Sequence, residues 1–178
     1  MGSFFMKQLL ILAAVLFLLT NSSWAQFPAS WIGTYSGQMA LLYSGKPSDS
    51  VNVSLEIREI QKDSVWTYHM AFHHNAYGDM VKDYLIKKDH TDSYFMDENN
   101  GILIPMTFLD GCFYDCYDVD GMLFHSTMRL QGKDIFYELV GTPVNSGLQR
   151  NIGDEKEGSY TVRSYRPSVI QKVVLIKN

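Results

Sequence analysis

The sequence predicts an all-β domain whose antiparallel strands, about ten in number, close into an up-and-down barrel of about eight to ten strands or split into a sandwich. Three observations predict it. Apolar and polar residues alternate with a two-residue period, most cleanly where Val51, Val53, Leu55 and Ile57 interleave with Asn52, Ser54, Glu56 and Arg58. Strands buried on both faces of a parallel sheet would instead read as unbroken apolar runs. Turn signals punctuate the alternation at Asp97-Glu98-Asn99-Asn100-Gly101, Asp120-Gly121 and Gln131-Gly132-Lys133-Asp134. No convincing long helical period follows residue 25, and 11 Tyr and 10 Phe lean the composition toward strands and aromatic-lined cavities.

The first 25 residues stand apart. Lys7 precedes eleven apolar residues, Leu9 to Leu19, and Ser23-Trp24-Ala25 supplies small residues at the spacing of a cleavage site. This pattern predicts a secretory signal peptide over residues 1–25, cut near Ala25. The apolar run is short of the roughly 20 residues a membrane span needs. The mature chain, residues 26–178, is then one exported domain, secreted or periplasmic. It keeps 14 basic and 19 acidic residues, a net charge of −5, and offers no basic surface for nucleic acid. A chain of this size buries about 70% of its unfolded surface, enough to fold without a metal or a staple.

The strands follow in order. Ile32 to Tyr43 opens the domain, and Val51 to Arg58 comes second. Ser64 to His73 carries Trp66, Tyr68, Met70 and Phe72 on one face. Met80 to Lys88 sets Tyr84 and Ile86 on one side, with Lys82 and Lys88 on that same side. Ser93 to Met96 is short. Ile102 to Leu109 is weakened by Pro105, which has no N–H for a ladder. Phe113 to Val119 runs into the Asp120-Gly121 turn. The strand beyond it shows Met122, Phe124, Met128 and Leu130 on one face, and Ile135 to Val140 returns. Gly141 to Ser159, with four Gly, Pro143 and the run Asp154-Glu155-Lys156-Glu157, predicts a long mobile loop that could act as a flap. Tyr160 to Tyr165 and Val169 to Ile176, separated at Pro167, complete the set.

The opening Trp31-Ile32-Gly33-Thr34-Tyr35-Ser36-Gly37 carries a family resemblance. Gly33-x-Tyr35 stands where lipocalins place an early Gly-x-Trp, and the segment resembles the W-x-G-x-Y/W-x-G start of small secreted bacterial lipocalin-like (calycin) proteins. It departs in placing its Trp two residues upstream and in showing no helix after the barrel. The strand count is also nearer that of fatty-acid-binding proteins. The resemblance implies a closed barrel with an internal cavity for a small hydrophobic or amphipathic molecule.

Residues predicted to face that interior as ligand contacts are Tyr35, Met39, Tyr43, Trp66, Tyr68, Met70, Phe72, Tyr84, Phe124 and Met128. Tyr brings a polar tip and Met an adaptable shape. The same residues could equally form a solid core. Glu138 is a candidate anchor if it faces inward with Phe136 and Val140, and is merely solvated if Ile135, Tyr137 and Leu139 face in. The alternative function is a solid-cored domain that contacts an envelope protein or glycan through exposed aromatics such as Tyr77, Tyr94, Tyr114 or Tyr117.

The remaining polar residues carry no legible chemistry. Cys112 and Cys116 form a disulfide only if the chain turns between them. Residues four apart on a regular strand lie about 13 Å apart, and a disulfide needs about 4.4–6.8 Å. Otherwise they are free thiols. His69 and His73 share a face at too long a spacing for one metal, and His74 points away. Asp115, Asp118 and Asp120 resemble a calcium run without its closing Glu. There is no Gly-x-Ser-x-Gly, His-Glu-x-x-His or phosphate-cradling loop. No catalytic residue, metal or cofactor is therefore assigned.

Overall fold

A computed structural model describes residues 27, 29–74, 78–154 and 158–178. The predicted signal peptide lies outside the described residues. The strands are β1 Gly33–Tyr43, β2 Asp49–Ile57, β3 Glu59–Gln61, β4 Val65–His74, β5 Gly78–Lys88, β6 Tyr94–Asp97, β7 Leu103–Leu109, β8 Cys112–Val119, β9 Met122–Gln131, β10 Asp134–Pro143, β11 Leu148–Asp154, β12 Gly158–Ser164 and β13 Val169–Lys177.

Among the described residues, ten of these strands close into one antiparallel barrel. Each of β1, β2 and β4 to β10 pairs with its neighbour in the chain, β13 pairs with both β10 and β1, and β2 pairs with β4 across the short β3. The sandwich alternative is not the one adopted. Register follows the alternation, because a slip of one residue would turn every apolar side chain to water. Val53 faces Phe72 and Leu55 faces Met70 across the β2–β4 seam, and all four are buried. Gly37 permits a close approach of β1 to β13. A Cβ there would lie 2.4 Å from the Val174 carbonyl oxygen, and the β1–β13 ladder skips residues 37 to 39.

One end of the barrel is packed solid. Phe27, Trp31, Trp66, Tyr94, Phe108 and Phe113 meet there with ring centroids 4.7 to 6.2 Å apart, mostly edge to face. Each such pair adds about 0.5–1.5 kcal/mol beyond area burial. The Tyr35 hydroxyl donates to the Trp31 carbonyl at 2.7 Å and pins the segment that plugs this end.

The other end is incomplete. The β7–β8 ladder runs from Leu109 opposite Cys112 to Met106 opposite Asp115, and stops where Pro105 comes next. β6 pairs with β5 only over Leu85 to Lys88. Residues 78–84 of β5 and 116–119 of β8 therefore lack a strand partner on the sides that face each other. The turn over residues 98–102 covers part of the gap, and the Asn99 side-chain amide donates to the Asp83 carbonyl at 2.7 Å. Met80, Val81, Ile102, Leu103 and Val119 are exposed in these segments.

One expectation is corrected: Gly141 to Ser159 is not one long loop. The strand expected over Tyr160 to Tyr165 is present, but it pairs outside the barrel. β10 continues to Pro143, a single 3-10 turn covers Val144–Ser146, and β11 pairs with β12 as a separate two-stranded ribbon. The alternation was present, with Leu148, Ile152, Tyr160 and Val162 on one face, but Gly153, Gly158 and the charged run obscured it. Gly153 is required there. Its φ is +139°, and a Cβ would fall 2.0 Å from the Gly158 carbonyl oxygen.

Candidate ligand-binding site

A small cavity of about 50 Å³ lies within the barrel toward the incomplete end. Strand parity puts its walls in place. Phe113, Asp115 and Tyr117 alternate inward along β8, Lys82, Tyr84 and Ile86 along β5, and Ser126 and Met128 along β9. Tyr68 and Tyr84 are direct cross-strand partners, and their rings stack at 6.5 Å between centroids. Tyr137 faces them from β10, and Glu98 reaches in from the turn that ends β6.

The cavity is unusually polar for a barrel interior. The Ser126 hydroxyl donates to Asp115 Oδ2 at 2.6 Å. Asp115 Oδ1 is buried and, among the described residues, has no partner. A buried polar atom left unpaired costs about 1–3 kcal/mol. Burial pushes the Asp115 carboxyl above the ordinary carboxylate range, against the opposing pull of the Ser126 hydrogen bonds, His125 and Lys82. Burial also holds the Lys82 ammonium below its ordinary range, although Glu98 and Asp115 act the other way. Its Nζ sits 5.8 Å from the ring centroids of both Phe72 and Tyr84, and among the described residues it has no hydrogen bond or ion pair. Tyr117 is pushed up to about 12, first by burial and then by Asp115. Tyr68, Tyr84 and Tyr137 are raised as well, burial again being the largest cause. The phenols are thus neutral donors across the physiological range. Tyr68 spends its hydroxyl on the Met70 sulfur at 3.7 Å, a weak acceptor.

A second hollow, about 320 Å³, opens at the mouth of the same end between Leu41, Val51, Phe72 and Met80. Lys82 lines both hollows. His74 and Asp49 pair at 3.1 Å at its edge.

The residues singled out from sequence divide by position. Tyr68, Tyr84 and Met128 line the inner cavity, and Phe72 lines the mouth. Met70 is buried beneath Tyr68. Tyr35, Met39 and Trp66 are fully buried as core and border neither hollow. Phe124 is half-buried against Tyr117, ring centroids 5.5 Å apart. Tyr43 is 40% exposed at the end of β1, where the inward face runs out.

Glu138 is not an interior anchor. Ile135 and Leu139 are buried, so Phe136, Glu138 and Val140 point outward, and Glu138 borders a groove on the outer face of the sheet. The disulfide is also absent. Cys112 and Cys116 are free, four residues apart on one uninterrupted strand. The flanking turns, at Asp110-Gly111 and Asp120-Gly121, fall outside the stretch between them. His69 and His73 sit on the outer face of β4, paired with Asp83 at 3.3 Å and Asp79 at 3.0 Å. Tyr94 belongs to the packed end rather than to an exposed patch, and Tyr77 lies outside the described residues.

Sequence reasoning missed Asp115, Tyr117, Lys82, Glu98, Ser126 and Tyr137 as one group. Parity was the available signal. Asp115 shares a face with Phe113 and Tyr117, and Lys82 shares one with Tyr84. Partners from four different strands and a turn left no mark in any local window.

No family model and no curated protein matches the sequence. The fold is similar to that of an S-type phycobiliprotein lyase from Guillardia theta, with a TM-score of 0.58 at 8% identity over 84% of this chain and 89% of that one. It is also similar to a protein of unknown function from the DUF3598 family of Nostoc punctiforme, with a TM-score of 0.56 at 12% identity over 84% of this chain. The match covers 48% of that protein, so this chain spans about half its length. At these identities the likeness is one of fold, a lipocalin-like up-and-down barrel.

Proposed function

We propose that this protein is an exported, lipocalin-like binding protein for a small hydrophobic or amphipathic molecule, and that it catalyses no reaction. One observation carries the reading: Asp115 Oδ1 is buried without a partner in a cavity that adjoins an apolar mouth. An orphaned polar atom destabilises a fold unless something else uses it. Here the orphan sits beside the gap left by Pro105, where a guest could reach it. The fold similarity to a phycobiliprotein lyase supports a barrel able to hold a small molecule. Export rests on Lys7, the run Leu9 to Leu19 and Ser23-Trp24-Ala25, and predicts a mature N-terminus at Gln26.

Thermal melting with a panel of fatty acids, long-chain alcohols, haem and retinoid-like compounds tests the reading. A ligand present at a hundredfold excess over its Kd adds about 2.7 kcal/mol, which raises the midpoint by roughly 5–10 °C in a chain of this size. A flat midpoint across the panel removes the proposal. A second reading, a domain that docks on an envelope partner, is favoured by the β11–β12 ribbon, whose Leu148, Ile152, Tyr160 and Val162 are exposed on one face.

A further inference from the structure

The charge arrangement of the inner cavity selects among ligands, on the ligand-binding reading above. Two acids and one base line it: Asp115, Glu98 and Lys82. Glu98 accepts a hydrogen bond from the Tyr84 hydroxyl. Lys82 lies near the rings of Phe72 and Tyr84, with Glu98 and Asp115 close enough to act on its charge. The lining thus presents charges of both signs. An incoming anion would meet Glu98 and Asp115, and an incoming cation would meet Lys82. Either would also lose its hydration on entering, at a cost of several kcal/mol. Hydrogen-bonding capacity, by contrast, stands unused in both senses. Among the described residues, Asp115 Oδ1 lacks a partner, the Tyr68 hydroxyl has only a sulfur, and the Lys82 ammonium makes no hydrogen bond.

Size limits the guest as sharply as charge. The inner cavity holds about 50 Å³, room for a few waters at the roughly 10–15 Å³ each requires. That admits a head group and not a ring system. The mouth beyond Lys82 holds about 320 Å³ between apolar side chains, within the roughly 300–1,000 Å³ of ordinary ligand pockets.

We propose that the ligand is an uncharged amphipath, an aliphatic alcohol or primary amide in chemical class, with its head at Asp115 Oδ1 and Lys82 and its tail among Leu41, Val51, Phe72 and Met80. The head must both give and accept hydrogen bonds, and the tail must be narrow enough to pass Lys82. Lys82 is the residue that decides charge preference, because it is the one cation set against the two acids in that lining.

Isothermal titration of the purified protein with 1-octanol, octanamide, octanoate and octylammonium tests this, the tail being held constant. Octanol and octanamide are expected to bind at least about tenfold more tightly than either ion, a difference of about 1.4 kcal/mol. Lys82→Met removes the balancing cation, so octylammonium should become the tightest of the four, whereas Lys82→Arg should keep the parent order. Octanoate or octylammonium binding the parent as tightly as octanol overturns the inference while leaving a ligand-binding barrel intact. A Lys82→Met protein that melts cooperatively yet still prefers the neutral ligands overturns it as well. No binding by any of the four overturns the inference, and the melting panel above then decides the reading beneath it.

Discussion

The two ends of this barrel are built from the same strands and solve opposite problems. At the closed end the inward positions of β4, β6, β7 and β8 are Trp66, Tyr94, Phe108 and Phe113, and the chain before β1 adds Phe27 and Trp31 as a plug. At the incomplete end the inward positions of β5 and β8 become Lys82, Asp115 and Tyr117. The first arrangement excludes water and leaves no room. Both leave buried polar atoms unpaired among the described residues, Trp31 Nε1 and Trp66 Nε1 at the first and Asp115 Oδ1 at the second, but the second also keeps a cavity and a missing stretch of ladder. A strand can therefore contribute stability over one half and a recognition surface over the other, with Phe113 and Asp115 only two residues apart.

The largest effect is expected where the packing is tightest. Trp31→Ala removes a fully buried side chain from the plug while keeping the main-chain carbonyl that Tyr35 holds. It should cost about 3–5 kcal/mol, read as a lower midpoint in thermal or urea unfolding. A loss under about 1 kcal/mol would mean that the plug does not hold this end, and the contrast between the ends would blur.

A smaller effect of opposite sign is expected at Asp115. A carboxyl whose value is raised in the fold stabilises it while protonated, and that contribution fades as pH climbs from about 4 through the raised value. Asp115→Asn keeps the shape and removes the charge. The variant should match the parent near pH 4 and melt above it at pH 7 by about 1 kcal/mol. A parent that is the more stable at pH 7 would place Asp115 in a firm ion pair with Lys82 and take away the unused acceptor.

Legibility in the sequence follows the same division. The alternation of Val51, Val53, Leu55 and Ile57 sufficed for strands, and turn residues sufficed for most of their ends, because both are local patterns. Trp66, Tyr68, Met70 and Phe72 were legible as one inward face for the same reason. The cavity was not, because it depends on Asp115 meeting Ser126 from β9, Lys82 from β5 and Glu98 from a turn. The acids near residue 115 also carried a rival local meaning as a calcium run, and Asp120-Gly121 proved a hairpin turn. Glu138 was ambiguous by one residue of parity, which only the burial of Ile135 and Leu139 resolves. Pro105 was visible as a weak point in its strand, but its consequence, a gap beside the pocket, needs the neighbouring β8 to be known.

The central claim is that the incomplete end receives a guest and the closed end does not. An amide-resolved NMR titration of the protein with 1-octanol tests it most directly. Shifts confined to Phe72, Lys82, Tyr84, Asp115, Tyr117 and their neighbours, with Trp31 and Trp66 unmoved, are the result predicted. Shifts centred on the tryptophan end, or spread evenly over the outer face around Glu138 and Lys172, would contradict it.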